Sequence, residues 1–246
     1  MRNILHHLSR VLVCLLVQMY GSSGQLIGSF KTRDAVPIEQ TAKARPVSYL
    51  ALGDSTCVGL GAQKGYGYVE RLLVRIRRGY PVSQRLKLCA LGDTTAAVLQ
   101  RVTSGVNIRP SLVTISVGVN DLIERVNEQE FAGNYNEIIK CIEKLGPTII
   151  IVNLPDISLA PGLPKLMRID LRSRVTIFNK QIEGIAKRHG LPVVDLYGAF
   201  SGEIPFHPEF FSSDGFHPSD AGYEFWAETM WPIVEKALNV WRESKR

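Results

Sequence analysis

Four short polar clusters lie beside segments with regular secondary-structure character in this 246-residue chain. They are Gly53-Asp54-Ser55, Leu91-Gly92-Asp93-Thr94, Gly118-Val119-Asn120-Asp121 and Asp214-Gly215-Phe216-His217. The first places a serine directly after an apolar run, and the last places an aspartate three residues before a histidine. A serine hydroxyl is a weak nucleophile unless a base takes its proton, and an aspartate can orient that base. The clusters therefore predict nucleophilic chemistry at Ser55, with His217 as the base and Asp214 as its orienting acid.

The stretches between the clusters alternate between strand-like and helix-like patterns. Apolar and β-branched runs predict strands over 47–52, 86–91, 112–117, 148–154 and 193–196. Apolar residues at helical spacing predict helices over 66–80, 94–103, 130–145, 166–189 and 220–241. Residues 197–216, between the last strand and the last helix, are expected to form a loop. Strands that alternate with helices predict a parallel sheet with helices on both faces.

We therefore expect an α/β protein, a three-layer α/β/α sandwich whose five-stranded parallel sheet is doubly wound and flavodoxin-like. In such sheets the carboxyl ends of the strands share one edge, and ligands bind there. Three clusters follow predicted strands and the fourth precedes the last helix, so all four are expected at that edge. Asp54 and Asp121 are expected to hold these turns by hydrogen bonds rather than to react.

The order and content of the clusters resemble the blocks of the SGNH (GDSL-type) serine hydrolase family. Gly53-Asp54-Ser55 resembles the family's nucleophile block, and Gly92 stands where its second-block glycine is expected. The third and fourth clusters resemble its Gly-x-Asn-Asp and Asp-x-x-His blocks. The resemblance extends over about residues 47–240. Two departures, Thr56 after the nucleophile block and Leu91-Gly92-Asp93-Thr94 in place of Ser-Gly-x-Thr, leave the reacting groups unchanged.

The resemblance implies a serine ester hydrolase, an esterase or lipase that works through an acyl-serine intermediate without a metal or cofactor. The oxyanion of the tetrahedral intermediate would be bound by the backbone N–H groups of Ser55 and Gly92 and by the Asn120 side-chain amide. Glycine allows close backbone approach, and asparagine supplies a neutral N–H donor. The substrate would carry either a lipid or thioester acyl group or a carbohydrate O-acetyl group.

Other interpretations of the same residues remain open. Gly53-Asp54-Ser55 also suits a loop that binds phosphate, so a non-catalytic ligand-binding domain on the same fold is one alternative. Acyl transfer to an alcohol is another. Individual roles also have rivals, namely Cys57 as nucleophile, His207 as base and Asp195 as orienting acid. No base is evident beside Cys57, and no aspartate stands three residues before His207.

Two loops, residues 155–164 and 197–216, are expected to reach the same edge of the sheet. Because small-molecule pockets are mostly apolar, an acyl chain would suit the side chains that these loops offer. The alternative is that the same side chains cover the sheet end as core. We expect a small-molecule or polysaccharide acyl ester as the substrate. The apolar side chains are Leu159, Leu163, Phe200, Phe206, Phe210 and Phe211.

The N-terminus differs from the rest of the chain. Arg2 and Arg10 precede an apolar run over 11–17, and small residues follow at 21–24. This order predicts a signal peptide or an uncleaved N-terminal membrane anchor over residues 1–24. We expect a secreted or periplasmic protein, with transient membrane contact through this segment if it is retained. The predicted remainder is a linker over 25–46, the hydrolase domain over 47–241 and a tail over 242–246.

Composition and charge are those of an ordinary globular protein, with 45% hydrophobic and 21% charged residues. Loss of residues 1–24 would remove two of the 29 basic residues and no acidic residue. The formal net charge of the remaining chain would then be 27 − 23 = +4. The basic cluster is expected to be a solvated helix face, so no nucleic-acid partner is predicted. It comprises Arg71, Arg75, Arg77 and Arg78.

The cysteines that follow the N-terminal segment are Cys57, Cys89 and Cys141. Their odd number and wide spacing predict neither a disulfide framework nor a metal site. We expect them to be free thiols that pack as small hydrophobic residues.

Overall fold

The computed structural model describes residues 45–244. The predicted N-terminal segment 1–24 and nearly all of the linker over 25–46 lie outside the described residues. Within residues 45–244, no helix is long and apolar enough to cross a membrane.

A parallel sheet of five strands forms the centre of the described unit, in the spatial order β2-β1-β3-β4-β5. This is the flavodoxin-like order, and it confirms the predicted fold. The order reverses direction between β1 and β3, which creates a crevice beyond their carboxyl ends. The strands are β1 (Val47–Gly53), β2 (Val82–Cys89), β3 (Leu112–Ser116), β4 (Thr148–Val152) and β5 (Val193–Val194).

Helices cover both faces of this sheet, as the alternating pattern predicts. The helices over Thr95–Thr103, Glu128–Glu143 and Lys165–His189 pack with Leu50 and Leu52 of β1. The other face of β1, with Tyr49 and Ala51, packs with the helices over Tyr68–Gly79 and Asp220–Glu243. In residues 45–244 the α-helices are α1 (Ser55–Val58), α2 (Tyr68–Gly79), α3 (Thr95–Thr103), α4 (Val119–Ile123), α5 (Glu128–Glu143), α6 (Lys165–His189), α7 (Leu196–Glu203) and α8 (Asp220–Glu243).

The predicted loop over 197–216 is wrong in its first half. Helix α7 begins directly after Asp195, whose side chain accepts a hydrogen bond from the N–H of Gly198. Two short 3₁₀ helices follow, Ile204–Phe206 and Pro208–Phe210. The two glycines and the weak helical periodicity of α7 removed the usual sequence signal for a helix.

Two strand predictions also need correction. β2 begins four residues earlier than predicted and ends at Cys89, and β5 has only two residues. β2 is an edge strand with exposed polar residues in its first half, so its apolar pattern marks only the second half. The short helices α1 and α4 were not predicted, because each has only four or five residues.

The prediction of free cysteines fails for two of the three. Cys57, in α1, and Cys89, at the end of β2, form a disulfide with 5.8 Å between their Cα atoms. β1 and β2 pair so that Gly53 lies opposite Cys89, and α1 then turns back toward the same strand. Cys141 remains a free thiol.

The arginine cluster on α2 is not a purely solvated face. Arg71 pairs with Asp220 and Glu224 of α8, and Arg75 pairs with Glu224 and Glu228. The side chains of Arg71 and Arg75 are mostly buried, with 14% and 17% of their surface exposed, whereas Arg77 and Arg78 are exposed as predicted. Arg71 and Arg75 therefore link the α2 and α8 helices on one face of the sheet.

Candidate active site

Ser55 lies at the point where β1 ends and α1 begins. The Asp54 side chain caps α1, because its Oδ1 accepts hydrogen bonds from the Thr56 N–H at 2.9 Å and the Thr56 hydroxyl at 2.8 Å. Gly53 is required in this turn, since a Cβ there would lie 2.5 Å from the carbonyl oxygen of Ser116. Asp54 is buried, and burial raises its pKa although the Thr56 hydrogen bonds oppose that effect. The predicted structural role of Asp54 is confirmed.

His217 lies against Ser55, as the sequence predicts. The Ser55 Oγ is 3.0 Å from the Nε2 of His217, and the Nδ1 of His217 is 2.7 Å from the Oδ2 of Asp214. All three side chains are largely buried, and they form one continuous row of hydrogen bonds.

Asp214 is held by more than its histidine partner. Its Oδ1 accepts hydrogen bonds from the N–H groups of Phe216 and His217 and from the Ser212 hydroxyl, all between 2.8 and 2.9 Å. Burial by itself would raise the pKa of Asp214, but the hydrogen bond with His217 and the backbone N–H donors outweigh it. The pKa of this carboxyl therefore lies well below its ordinary value, and it stays ionised.

The loop that carries His217 is fixed by backbone contacts on two sides. The Ser212 N–H donates to the carbonyl oxygen of His217 at 2.8 Å, and the Gly162 N–H donates to that of Gly215 at 2.8 Å. On the other side, a Cβ at Gly61 would lie 2.4 Å from the carbonyl oxygen of Pro218. The loop after α1 thus packs directly under the histidine, which sets its distance from Ser55.

Three N–H donors predicted to face an oxyanion lie at the ends of β1, β2 and β3. Gly92 has a φ of 77°, a left-handed conformation that favours glycine, and Asn120 is the second residue of α4. The Asn120 Nδ2 donates one hydrogen to the carbonyl oxygen of Asp93 at 2.9 Å, which leaves its second hydrogen unused. Within residues 45–244, the backbone N–H groups of Ser55 and Gly92 donate no hydrogen bond.

Asp121 is fully buried beside these donors. Its two oxygens accept hydrogen bonds from Thr95, at 2.8 Å from the N–H and 2.5 Å from the hydroxyl. Burial raises the pKa of Asp121 to about 6, against the opposing effect of the Thr95 hydrogen bonds. The predicted structural role of Asp121 is confirmed.

The rivals for the reacting roles lie in other surroundings. Cys57 is in a disulfide and has no thiol. The His207 side chain is 40% exposed, and its Nδ1 lies 2.7 Å from Glu209. Asp195 caps α7 and accepts a hydrogen bond from Asn153. None of the three contacts Ser55 through a hydrogen bond.

A mostly apolar pocket opens beside Ser55 and His217 and contains about 50 Å³ of free space. Of the predicted apolar residues, Phe200, Phe210 and Phe211 line it, whereas Leu163 is buried in the core. Phe206 is 78% exposed and does not line the pocket, and Leu159 is half-buried. The other apolar lining residues include Val119, Ile157, Ala160, Ile204, Phe216 and Trp226.

A comparison of the sequence with protein-family models identifies the family. The model described as the GDSL-like lipase/acylhydrolase family matches residues 51–225, well over half of the chain. The chain belongs to this family. As a GDSL-type protein it is a carboxylic ester hydrolase, and the matched range includes all four sequence clusters. No curated protein sequence matches the chain significantly.

Solved structures of similar fold include other GDSL-type proteins. The lipase/acylhydrolase from Enterococcus faecalis is 26% identical with a TM-score of 0.62, over 77% of this chain and 96% of its own. TesA is 21% identical with a TM-score of 0.64, over 77% of this chain and 99% of its own. The acetyl xylan esterase AlAXEase is 19% identical with a TM-score of 0.62, over 76% of this chain and 100% of its own. These likenesses support the GDSL-type fold.

Two residues of this GDSL-type site had no sequence signal. Ser212 donates to Asp214, and Thr95 donates to Asp121. Each is a common polar residue in a turn or at a helix start, and only the folded chain shows which carboxylate it meets. Among residues 45–244, no group of three or more His, Cys, Asp or Glu side chains is placed to hold a metal ion.

Proposed function

We propose that this GDSL-type hydrolase cleaves esters with Ser55 as nucleophile, His217 as general base and acid, and Asp214 as the residue that orients His217. The observation that supports this most directly is the row of contacts from Ser55 Oγ to His217 Nε2 at 3.0 Å and on to Asp214 at 2.7 Å. Because Asp214 stays ionised, it favours the His217 tautomer that carries its proton on Nδ1 and leaves Nε2 as the acceptor.

The reaction has two halves. Ser55 Oγ attacks the ester carbonyl carbon while His217 Nε2 takes the hydroxyl proton, and the tetrahedral intermediate forms. His217 then gives that proton to the alcohol oxygen, the C–O bond breaks, and the acyl group remains on Ser55. In the second half His217 takes a proton from water, whose oxygen attacks the acyl-serine carbonyl carbon. The C–O bond to Ser55 then breaks, Ser55 Oγ recovers its proton from His217, and the acid leaves. Asp214 remains a carboxylate and stabilises the imidazolium in both halves.

The oxyanion of each intermediate would be bound by Ser55 N–H, Gly92 N–H and Asn120 Nδ2. These groups suit the role because the two backbone donors are unused within residues 45–244 and Asn120 retains one free hydrogen. Donors held in place before the reaction stabilise developing charge without any cost of reorganisation.

We propose a short acyl chain for the substrate, on either a small alcohol or a polysaccharide. The pocket beside Ser55 has about 50 Å³ of free space, and one water needs about 10–15 Å³ on the same measure, which gives room for about four water-sized groups. Its walls include Phe200, which is 4% exposed, and Trp226, which is 2% exposed. The two rings pack edge to face in the core, so this wall cannot easily move to admit a long chain.

The test is hydrolysis of p-nitrophenyl acetate, butyrate, octanoate and palmitate by the full chain and by its Ser55→Ala variant. We expect kcat/KM to be highest for acetate or butyrate, and Ser55→Ala to lose a factor of about 10⁴ or more. Ser173→Ala, which changes an exposed serine on α6, is the matched control and should retain full activity.

Each part of the proposal can fail separately. Activity retained in Ser55→Ala would overturn the serine mechanism, and a maximum at octanoate or palmitate would overturn the short-chain substrate. A folded wild-type protein that turns over none of the esters would favour the non-catalytic ligand-binding domain. Formation of an alkyl ester in added alcohol, in place of the free acid, would favour an acyltransferase.

We also propose that the protein works outside the reducing cytoplasm. The Cys57–Cys89 disulfide supports this, because structural disulfides persist mainly in oxidising compartments. The basic, apolar and small residues at the N-terminus agree with export. Fractionation of expressing cells, with N-terminal sequencing of the exported protein, tests both export and cleavage near residue 24.

A further inference from the structure

The Asp121 carboxylate makes hydrogen bonds that the proposed roles of Ser55, His217 and Asp214 do not require. It is fully buried, and both carboxylate oxygens are used by a single residue. Its Oδ2 accepts the Thr95 N–H at 2.8 Å, and its Oδ1 accepts the Thr95 hydroxyl at 2.5 Å. Thr95 is the first residue of α3, three positions after Gly92. The pair therefore fixes the start of α3 to the start of α4.

Asn120 holds the same turn from its other end. Its Nδ2 donates to the carbonyl oxygen of Asp93, the residue directly after Gly92. Consecutive side chains of α4 thus bind Asp93 and Thr95, which we call the Asn120–Asp121 clasp. The clasp joins the turn after β2 to the turn after β3.

Packing does little to fix Gly92 itself. A Cβ at Gly92 would have no heavy atom within 4 Å, and its φ of 77° is one that glycine adopts freely. Among the described residues, its N–H also makes no hydrogen bond. The position of this N–H is therefore set by what holds the residues that follow it, namely Asp93 and Thr95.

We propose that Asp121 is a positioning residue for the oxyanion site, which holds the Gly92 N–H and the Asn120 amide in register through Thr95. The inference rests on the proposed function, because it assigns a purpose to Asp121 only if these two donors bind an oxyanion. Hydrogen bonds to an ionised carboxylate are short and strong, and a buried carboxylate without them would be very unfavourable. Loss of the Thr95 hydroxyl should therefore loosen the turn rather than leave it unchanged.

The effect should fall on the transition state. The oxyanion exists only in the tetrahedral state, so a misplaced donor lowers kcat and leaves KM nearly unchanged. Removal of a whole oxyanion donor typically costs on the order of 10²–10³ in kcat. A donor that is displaced and not removed should cost less, about 10-fold to 100-fold.

The experiment compares Thr95→Val, Thr95→Ser and Asp121→Asn with the wild type. Valine matches threonine in shape and lacks the hydroxyl, whereas serine retains it. Thr103→Val is the matched control, because Thr103 lies at the other end of α3 and its hydroxyl bonds only to carbonyl oxygens of the same helix. Two quantities are measured, the kinetic constants for p-nitrophenyl acetate and the Ki of an arylboronic acid, which forms a tetrahedral adduct with an active-site serine.

We expect Thr95→Val to lower kcat about 10-fold to 100-fold and to raise the boronate Ki in proportion, with Thr95→Ser close to wild type. Asp121→Asn should also lower kcat and raise the boronate Ki. The Ki is decisive because it does not depend on the fraction of enzyme that is folded. A lower kcat with an unchanged Ki would mean that the clasp only stabilises the fold, and that result would overturn the proposal.

Unchanged kcat and Ki in Thr95→Val would overturn the proposal as well. Failure of the proposed function looks different, since the wild type would then have no serine-dependent activity against which to compare the variants. If Asp121→Asn does not fold, the Thr95 pair still decides the question.

Discussion

The two sides of the site hold their groups by different means. On the side that we propose transfers protons (the proton-transfer side), Ser55, His217 and Asp214 meet through side chains in one row. On the side that we propose binds the oxyanion (the oxyanion side), two of the three donors are backbone N–H groups, and the third, Asn120, is itself bound to a backbone carbonyl. The geometry of the first side depends on the identity of its side chains. The geometry of the second depends mainly on the path of the backbone.

This difference determines what a substitution can remove. Under the proposed mechanism, a change on the proton-transfer side deletes a reacting group. A change on the oxyanion side then deletes one proposed donor among three, or only displaces the turn that carries it. We therefore expect effects on the proton-transfer side to be the larger ones, and the next predictions test that order.

The largest loss is expected for His217→Ala, because Ser55 then has no base. We expect kcat/KM for p-nitrophenyl acetate to fall by a factor of about 10⁴ or more. His189→Ala is the matched control, since His189 lies at the C-terminal end of α6, pairs with Glu143 and does not line the pocket. Equal losses in the two variants, or full activity in His217→Ala, would contradict the assignment of the base.

An intermediate loss is expected for Asn120→Ala, on the order of 10²–10³ in kcat with KM little changed. Asn120→Asp sharpens the comparison, because it keeps the shape and replaces the donor by a negative charge. It should therefore lose more than the alanine variant, which deletes the donor without adding repulsion. An aspartate variant as active as wild type would show that no oxyanion forms beside residue 120.

The smallest expected effect is the contribution of Asp214 to the pH dependence of folding stability. Its pKa in the folded protein lies well below the ordinary value of 3.8, so between the two pKa values the unfolded chain binds more protons than the folded one. The stability that Asp214 contributes is then fully present above about pH 5 and is lost as pH falls through the folded pKa.

Urea unfolding from pH 2.5 to 6 measures this contribution. The free energy of unfolding of the wild type should rise with pH up to about pH 5, and Asp214→Asn should show a smaller rise. Parallel pH curves for the two proteins would mean that the hydrogen bonds to Asp214 contribute no net stability.

The contacts among Ser55, His217 and Asp214 were predictable from sequence because the residue types and their spacing mark them. Ser55 follows a strand, and Asp214 stands three residues before His217, so the pattern singled out all three side chains. The fold was predictable for a related reason, since alternating strand and helix patterns leave few topologies for a parallel sheet. For the oxyanion side, the sequence indicated which residues would lie there but not the contacts that hold them. The hydrogen bonds between Thr95 and Asp121 were therefore not predicted.

The features that the sequence did not predict share a physical cause, because most of them depend on contacts between distant segments. The Cys57–Cys89 disulfide follows from the register of β1 against β2, and the predicted strand over 86–91 did not place Cys89 at a strand end. Arg71 meets Asp220 and Glu224 only because α2 packs beside α8. Helix α7 lacked a local signal because Gly198 and Gly202 interrupt it.

The disulfide has a further consequence for how the protein matures. The described residues contain three cysteines, and Cys141 can compete with Cys57 or Cys89 for a partner while the chain oxidises. Only the Cys57–Cys89 pairing joins the nucleophile turn to the strand that leads to Gly92. A chain in which Cys141 pairs first must exchange to the Cys57–Cys89 pairing before the two sides of the site can meet. We therefore expect the yield of active enzyme to depend on the redox conditions of folding as well as on the sequence of the site.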